Sequence, residues 1–78
     1  MPRYFFNIHD CIGCIDEEGM ELPDRAAAMV EALRGARSLV AEQAMKGVIN
    51  LGPWIEITDE TGRPIGSLTY AEAVTVKA

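Results

Sequence analysis

The sequence is poor in histidine, cysteine and basic residues. Its 78 residues include one histidine, two cysteines, and 7 Lys and Arg against 12 Asp and Glu, which gives a formal net charge of −5. Binding nucleic acid by neutralising its phosphates requires a basic face, and no such face is evident in this sequence. The charge therefore argues against DNA or RNA as a partner.

Long apolar runs are also missing. No stretch approaches the roughly 18 apolar residues that indicate a membrane-spanning helix. The segment from Met1 to Phe6 lacks the apolar core and the small-residue cleavage site of a secretory signal. We therefore expect a cytoplasmic protein of bacterial type that does not engage membranes, with both cysteines as reduced thiols.

Residues that support catalysis are scarce. The sequence shows no Gly-rich phosphate loop and no assignable Ser/His/Asp or Cys/His/Asn set. On a regular strand Cys11 would lie beside His9, as a thiol next to a base, but a turn beginning at Asp10 breaks this alternation. A domain of this size is also thin, with little room for a substrate pocket. We expect no enzymatic activity and no cofactor.

What the sequence does contain is a globular composition, with 49% hydrophobic and 24% charged residues. A chain this short buries only about 60% of the surface that its unfolded form exposes, so its stability margin is thin. Small domains often gain stability from a second subunit. We expect one domain over residues 1–78 that forms a homodimer.

The first part of the chain predicts a hairpin. Residues 3–9 alternate, with one set of side chains on each face of a strand: Tyr4, Phe6 and Ile8 against Phe5, Asn7 and His9. Residues 10–13 fit a type I turn, with Asp first and Gly last. A second strand over residues 14–17 would then bury Ile15, and residues 20–22 are expected to be extended.

A long helix is the strongest local prediction. Asp24 suits the N-cap, residues 25–46 contain no proline, and Gly47 suits a left-handed position just after the helix. Apolar residues recur at three- and four-residue steps and predict a buried stripe of Met29, Leu33, Ala36, Val40 and Ala44.

The C-terminal part predicts a second hairpin. Residues 54–59 alternate as a half-buried strand, and residues 65–69 form its return strand with a bulge near Gly66. Residues 70–74 fit one short helical turn. The complete order is ββαββ, which predicts an α+β two-layer sandwich with one long helix packed on an antiparallel sheet.

Two features of this fold are candidate interaction sites. Phe5 and Trp54 fall on the sheet face away from the helix, where exposed apolar side chains indicate an interface. The run Asp16, Glu17 and Glu18 concentrates negative charge before the helix, and residues 10–21 together carry five acidic residues and no basic one. This run is interpreted either as a solvated turn, as oxygen ligands for Ca²⁺ or Mg²⁺, or as a docking surface for a basic partner.

An alternative site is a metal centre at His9, Cys11 and Cys14. Zinc prefers four ligands in a tetrahedron, and this cluster supplies three, or four with Asp10. Two chains could also share one site. The competing interpretation is that both cysteines are small, half-apolar structural residues.

The chain resembles a family of short proteobacterial proteins catalogued as a domain of unknown function. The resemblance covers nearly the whole chain and rests on residues 2–6 (PRYFF), 16–19 (DEEG), 22–24 (LPD) and 55–64 (IEITDETGRP). It implies no activity. A weaker, fold-level likeness to HicB-type antitoxins would imply an antitoxin-like regulator.

The leading functional hypothesis from the sequence is a non-enzymatic interaction or regulatory module that acts as a homo-oligomer and binds another protein through the apolar sheet face or an exposed strand edge. Its alternatives are the metal-binding protein and the antitoxin-like regulator.

Overall fold

Four antiparallel strands form one sheet, and a long helix covers part of one face. The computed structural model describes residues 1–10 and 13–77. The elements in chain order are β1 (Arg3–His9), β2 (Met20–Glu21), α1 (Arg25–Met45), β3 (Trp54–Thr58), β4 (Pro64–Thr69) and α2 (Tyr70–Ala73). The strand order in the sheet is β2-β1-β3-β4. The predicted α+β fold with ββαββ order is confirmed.

The alternation predicted for β1 is confirmed. Tyr4 is buried, and Phe6 and Ile8 pack against the same core. In the register with β3, Phe6 lies opposite Ile57 and Ile8 opposite Ile55. The helix-facing side of the sheet is therefore apolar along both central strands, because alternate residues of a strand share one face.

Both predicted ends of α1 are confirmed. The carboxylate of Asp24 accepts a hydrogen bond from Ala27 N–H at 2.8 Å, which satisfies one of the free donors of the first turn. Gly47 has φ of +85° and donates to the carbonyl of Ala44, while Val48 donates to that of Gln43. This pair of hydrogen bonds is a Schellman motif, and the left-handed conformation at its centre favours glycine.

The predicted buried stripe of α1 is confirmed at Ala36 and Val40 and is wrong at the other three positions. Met29 and Leu33 are only half-buried, on one flank, and Ala44 is exposed. The small side chains bring the helix close to the sheet, so the larger ones are displaced to its sides. The residues that face the core are Ala28, Ala32, Ala36 and Val40.

The predicted strand over residues 14–17 is also wrong. β1 pairs with Met20–Glu21 instead, and within residues 14–17 a single bridge joins Cys14 to Ile8. Ile15 was expected to be buried, but it is 79% exposed. Side-chain hydrogen bonds, in place of a regular backbone ladder, hold this segment against β1.

The second hairpin matches its prediction. Ile57 lies opposite Gly66 while Thr58 lies opposite Pro64, so Ile65 is the extra residue of a bulge. The short helix α2 begins with a capping box in which Thr69 and Glu72 exchange hydrogen bonds. Within the described residues, neither helix has the length and apolar character needed to cross a membrane.

Candidate functional site

Asp16 fastens the loop between β1 and β2 to the edge of the sheet. Its Oδ2 accepts a hydrogen bond from Phe6 N–H at 3.1 Å, and its own N–H donates to Asn7 Oδ1 at 3.0 Å. Its Oδ1 accepts from the N–H groups of Glu18 and Gly19 at 3.1 and 3.0 Å. The carboxylate therefore takes the place of a strand partner for β1.

These hydrogen bonds change the acidity of Asp16. Partial burial raises the pKa of its carboxyl group, but the N–H donors of Gly19, Phe6 and Glu18 together outweigh this, so the net pKa is lowered. Hydrogen bonds to the charged form favour ionisation. The three residues of the predicted acidic site therefore differ in role, because Asp16 holds the loop in place.

The other two acidic residues of the run face solvent. Glu17 and Glu18 are both exposed. The carbonyl of Glu18 accepts a hydrogen bond from Arg3 Nη1 at 2.8 Å, and Arg3 also lies 3.2 Å from Glu21 Oε1. Arg3 thus offsets part of the negative charge, and the carboxylates of Glu17 and Glu18 are left at the surface.

Phe5 and Trp54 do not form one apolar patch. They lie at opposite ends of the outer sheet face, where Phe5 is paired with Thr58 and Trp54 with His9. A polar pair, Asn7 and Glu56, lies between them. The sequence placed both residues on the correct face but could not show this separation.

The loop also covers Phe5. A Cβ added at Gly19 would lie 2.9 Å from Phe5 Cε1 and 2.8 Å from the Tyr4 carbonyl oxygen, so the backbone touches the ring closely. Gly19 has φ of +68°, a conformation that favours glycine. Phe5 is thus half-buried within its own chain and offers little surface for a partner.

At the other end, Trp54 is 42% exposed and stacks on His9. Their ring centroids are 4.9 Å apart with an interplanar angle of 9°. His9 Nε2 lies 3.4 Å from Glu56 Oε1, within ion-pair distance, but hydrogen-bond geometry is not met and no described residue bonds this nitrogen. The imidazole is oriented by its aromatic neighbour and by Glu56.

The predicted metal site at His9, Cys11 and Cys14 lies partly outside the described residues. Cys14 is exposed and free, and Cys11 lies outside the described residues. Among residues 1–10 and 13–77, no three His, Cys, Asp or Glu side chains come close enough together to hold a metal ion.

The outer edge of the sheet at β4 is poorly suited to pairing with another strand. It begins at Pro64, which has no N–H to donate, and continues through the bulge at Ile65. At its other end the N–H of Thr69 donates to Glu72 Oε1 at 3.0 Å. The proline, the bulge and the capped end each make this edge strand less able to pair with another strand.

An open apolar groove lies on the helix side of the sheet. α1 packs mainly on β3 and β4 and less on β1, which leaves a cavity of about 200 Å³ beside the helix. Its walls come from both layers: Phe6, Ile8 and Met20 from the sheet, and Glu31, Gly35 and Leu39 from the helix. Glu31 is the one charged residue in its described lining.

The groove was not predicted from the sequence, although one signal was available. Four strands spaced about 4.8 Å apart make a sheet wider than the roughly 10 Å diameter of one helix. A single helix therefore leaves part of the apolar sheet face uncovered. Which part stays open depends on the strand order, and sequence periodicity does not reveal that order.

The architecture defines a two-layer α+β domain with an uncovered apolar strip beside its helix. The model of the family described as Domain of unknown function (DUF6894) matches residues 3–71, and the chain belongs to this family. Comparison with curated proteins and with solved structures gave no significant match.

Proposed function

We propose that this protein is a non-enzymatic protein-interaction module that acts as a homodimer. The observation that carries the proposal is the open groove beside α1, where Phe6, Ile8 and Met20 form an apolar wall. Apolar surface gains free energy when it leaves water, so a partner that covers this strip would stabilise the fold.

Size supports the same proposal. A chain of 78 residues has a small core, and its large buried side chains are few, with alanine supplying three of the four core positions of α1. Small domains of this kind commonly rely on a second subunit. Closing the groove against another chain would enlarge the shared core.

The direct test is sedimentation velocity of the purified chain between about 1 and 100 µM, the range in which weak dimers dissociate. A weight-average mass that rises toward twice 8.5 kDa is expected. A mass that stays at the monomer value up to the highest concentration would contradict the homodimer.

Cytoplasmic localisation belongs to the same proposal, and in that compartment both cysteines would be reduced thiols. The alternatives to this proposal are a metal-binding protein at His9, Cys11 and Cys14 and an antitoxin-like regulator. No specific contact in the described residues favours either of them.

A further inference from the structure

We propose that a second cavity, at the N-terminal end of α1, binds a free α-amino acid with an apolar side chain. The cavity lies between the first turn of α1, the start of β1 and the turn that joins β3 to β4, and it measures about 460 Å³. Ligand pockets in proteins measure roughly 300–1,000 Å³. It shares no described lining residue with the groove beside α1, so the site does not depend on the proposed homodimer.

The hydroxyl of Tyr4 is the first indication of a ligand. Tyr4 is only 7% exposed, and it lines the cavity from the sheet side. No residue in the described part of the chain forms a hydrogen bond with its hydroxyl group. Buried tyrosine hydroxyls usually have a hydrogen-bond partner, because leaving one unpaired costs free energy. A polar group of a ligand in the cavity would supply this partner.

The charges around the cavity are the second indication. Arg25, the first residue of α1, lines the cavity together with Asp59 and Glu60. The ion pairs formed among the described residues do not include Arg25. Opposite charges thus line one cavity without contacting each other, which leaves space for a ligand that carries both charges. The guanidinium group suits a carboxylate, because it presents paired N–H donors.

One oxygen of each carboxylate holds the acidic wall of the cavity in place. Oδ1 of Asp59 accepts hydrogen bonds from Thr61 N–H at 2.9 Å, the Thr61 hydroxyl at 2.6 Å and Arg63 N–H at 3.0 Å. Oε1 of Glu60 accepts from Arg3 N–H at 3.1 Å. The second oxygen of each carboxylate forms no hydrogen bond with a described residue and can accept one from an ammonium group. A wall that is ordered before binding lowers the cost of binding.

These charges favour a zwitterion over a simple ion. The hydrogen bond from the Thr61 hydroxyl, with those from the N–H groups of Arg63 and Thr61, lowers the pKa of the Asp59 carboxyl group, so it is charged near neutral pH. The formal charges in the lining are one positive and two negative. An anion alone would face two carboxylates, and a cation alone would face the guanidinium group, and like charges repel. A ligand with both charges pairs with both walls.

An apolar part of the lining selects the side chain of the ligand. Pro2 and Ile65 line the cavity, and Ile65, the extra residue of the bulge in β4, is only half-buried. An apolar side chain that covers Ile65 would remove apolar surface from water on both molecules. An α-amino acid carries a carboxylate, an ammonium group and a side chain on one carbon, and it therefore matches all three parts of the lining.

A titration followed by NMR tests the ligand class. The ¹⁵N-labelled chain is titrated with L-leucine, L-valine, L-methionine and L-phenylalanine, and we expect a dissociation constant below about 1 mM for at least one of them. The N–H signals of Arg25, Thr61 and Ile65 should shift, and that of Leu39 in the groove should not. The amide of the tightest ligand lacks the carboxylate, and its deaminated acid lacks the ammonium group. Each should bind at least roughly tenfold more weakly, since a charged hydrogen bond is lost.

Two variants test the cavity. Tyr4→Phe keeps the buried ring and removes only the hydroxyl, and we expect the dissociation constant to rise roughly three- to tenfold. Arg25→Gln, at an exposed position, should raise it by roughly tenfold or more. Tyr70→Phe, at a tyrosine that is 3% exposed, and Arg34→Gln on the same helix are the matched controls outside this cavity. Both should leave the constant unchanged, and circular dichroism with urea unfolding verifies that all four variants fold.

Each contrary outcome has a definite meaning. If none of the four amino acids shifts any signal up to about 10 mM, tenfold above the expected limit, the site is overturned. Equal binding of the amide or the deaminated acid would contradict the zwitterion. Wild-type binding by both Tyr4→Phe and Arg25→Gln would show that the amino acid binds elsewhere. A chain that binds an amino acid but stays monomeric in sedimentation would overturn the homodimer and leave this site standing.

Discussion

The carboxylate of Asp16 accepts the backbone N–H of Phe6 at 3.1 Å and so occupies the edge of β1 between two short stretches of pairing. On one side of this contact β1 pairs with β2, and on the other Ile8 bridges to Cys14. A side chain thus continues the hydrogen bonding that the loop backbone does not supply. The consequence is that the N–H of Phe6 on this edge of β1 is already bonded within the chain.

Asp16→Asn is predicted to lower the free energy of unfolding by about 1–3 kcal/mol. The amide retains one acceptor oxygen, so it cannot serve both Phe6 on Oδ2 and the pair Glu18 and Gly19 on Oδ1. Urea unfolding followed by circular dichroism measures the change. Glu17→Gln, at an exposed neighbouring position, is the control and should change stability by less than about 0.5 kcal/mol. Equal stability of the two variants would contradict the role assigned to Asp16.

The stabilisation from Asp16 is predicted to depend on pH. The folded protein lowers the pKa of this carboxyl group, so its contribution is fully present above the unfolded value of about 3.9 and is lost as pH falls through the folded value. The stability difference between wild type and Asp16→Asn should therefore be constant near neutral pH and shrink below about pH 4. Urea unfolding at a series of pH values measures it. Asp59 and Glu72 also have lowered pKa values, from hydrogen bonds with Thr61 and Thr69, so the variant should keep some acid sensitivity.

How far the fold could be predicted differs between its two halves. The helix and the second hairpin carried local signals, such as Asp24 and Gly47 at the helix ends and a bulge near Gly66, and these were confirmed. Residues 14–17 looked like a strand, yet a long-range side-chain contact from Asp16 decides their path. Periodicity does not encode such contacts, because they depend on which segments meet in space.

The environment of the outer-face aromatic residues and the groove beside α1 were harder to predict for the same reason. Phe5 and Trp54 were placed on the correct face, but their burial depends on the loop at Gly19 and on the stacking with His9. The groove at Phe6 and Ile8 arises from where the helix lies on the sheet. The alanines that set this position looked like ordinary helix formers in the sequence.

Gly19→Ala is predicted to destabilise the fold by more than about 2 kcal/mol, the sum of backbone strain and a steric clash. An added Cβ would lie 2.8 Å from the carbonyl oxygen of Tyr4, which is backbone and cannot rotate away. Gly62→Ala is the matched control: its φ of +84° is similar, but a Cβ there meets no described atom within 4 Å. Thermal unfolding of both variants separates the cost of backbone strain from the cost of the clash. An equal loss of stability in the two variants would show that the close approach at Gly19 does not affect stability.

Trp54 is predicted to stay equally accessible in the monomer and the dimer. It is the one tryptophan of the chain, and it lies on the outer sheet face, away from the groove beside α1. Iodide quenching of its fluorescence should give the same constant at concentrations below and above dimer formation, because association covers Phe6, Ile8 and Met20 on the opposite face. A quenching constant that falls on association would place the interface on the outer face, with Trp54 as its centre and the groove left open.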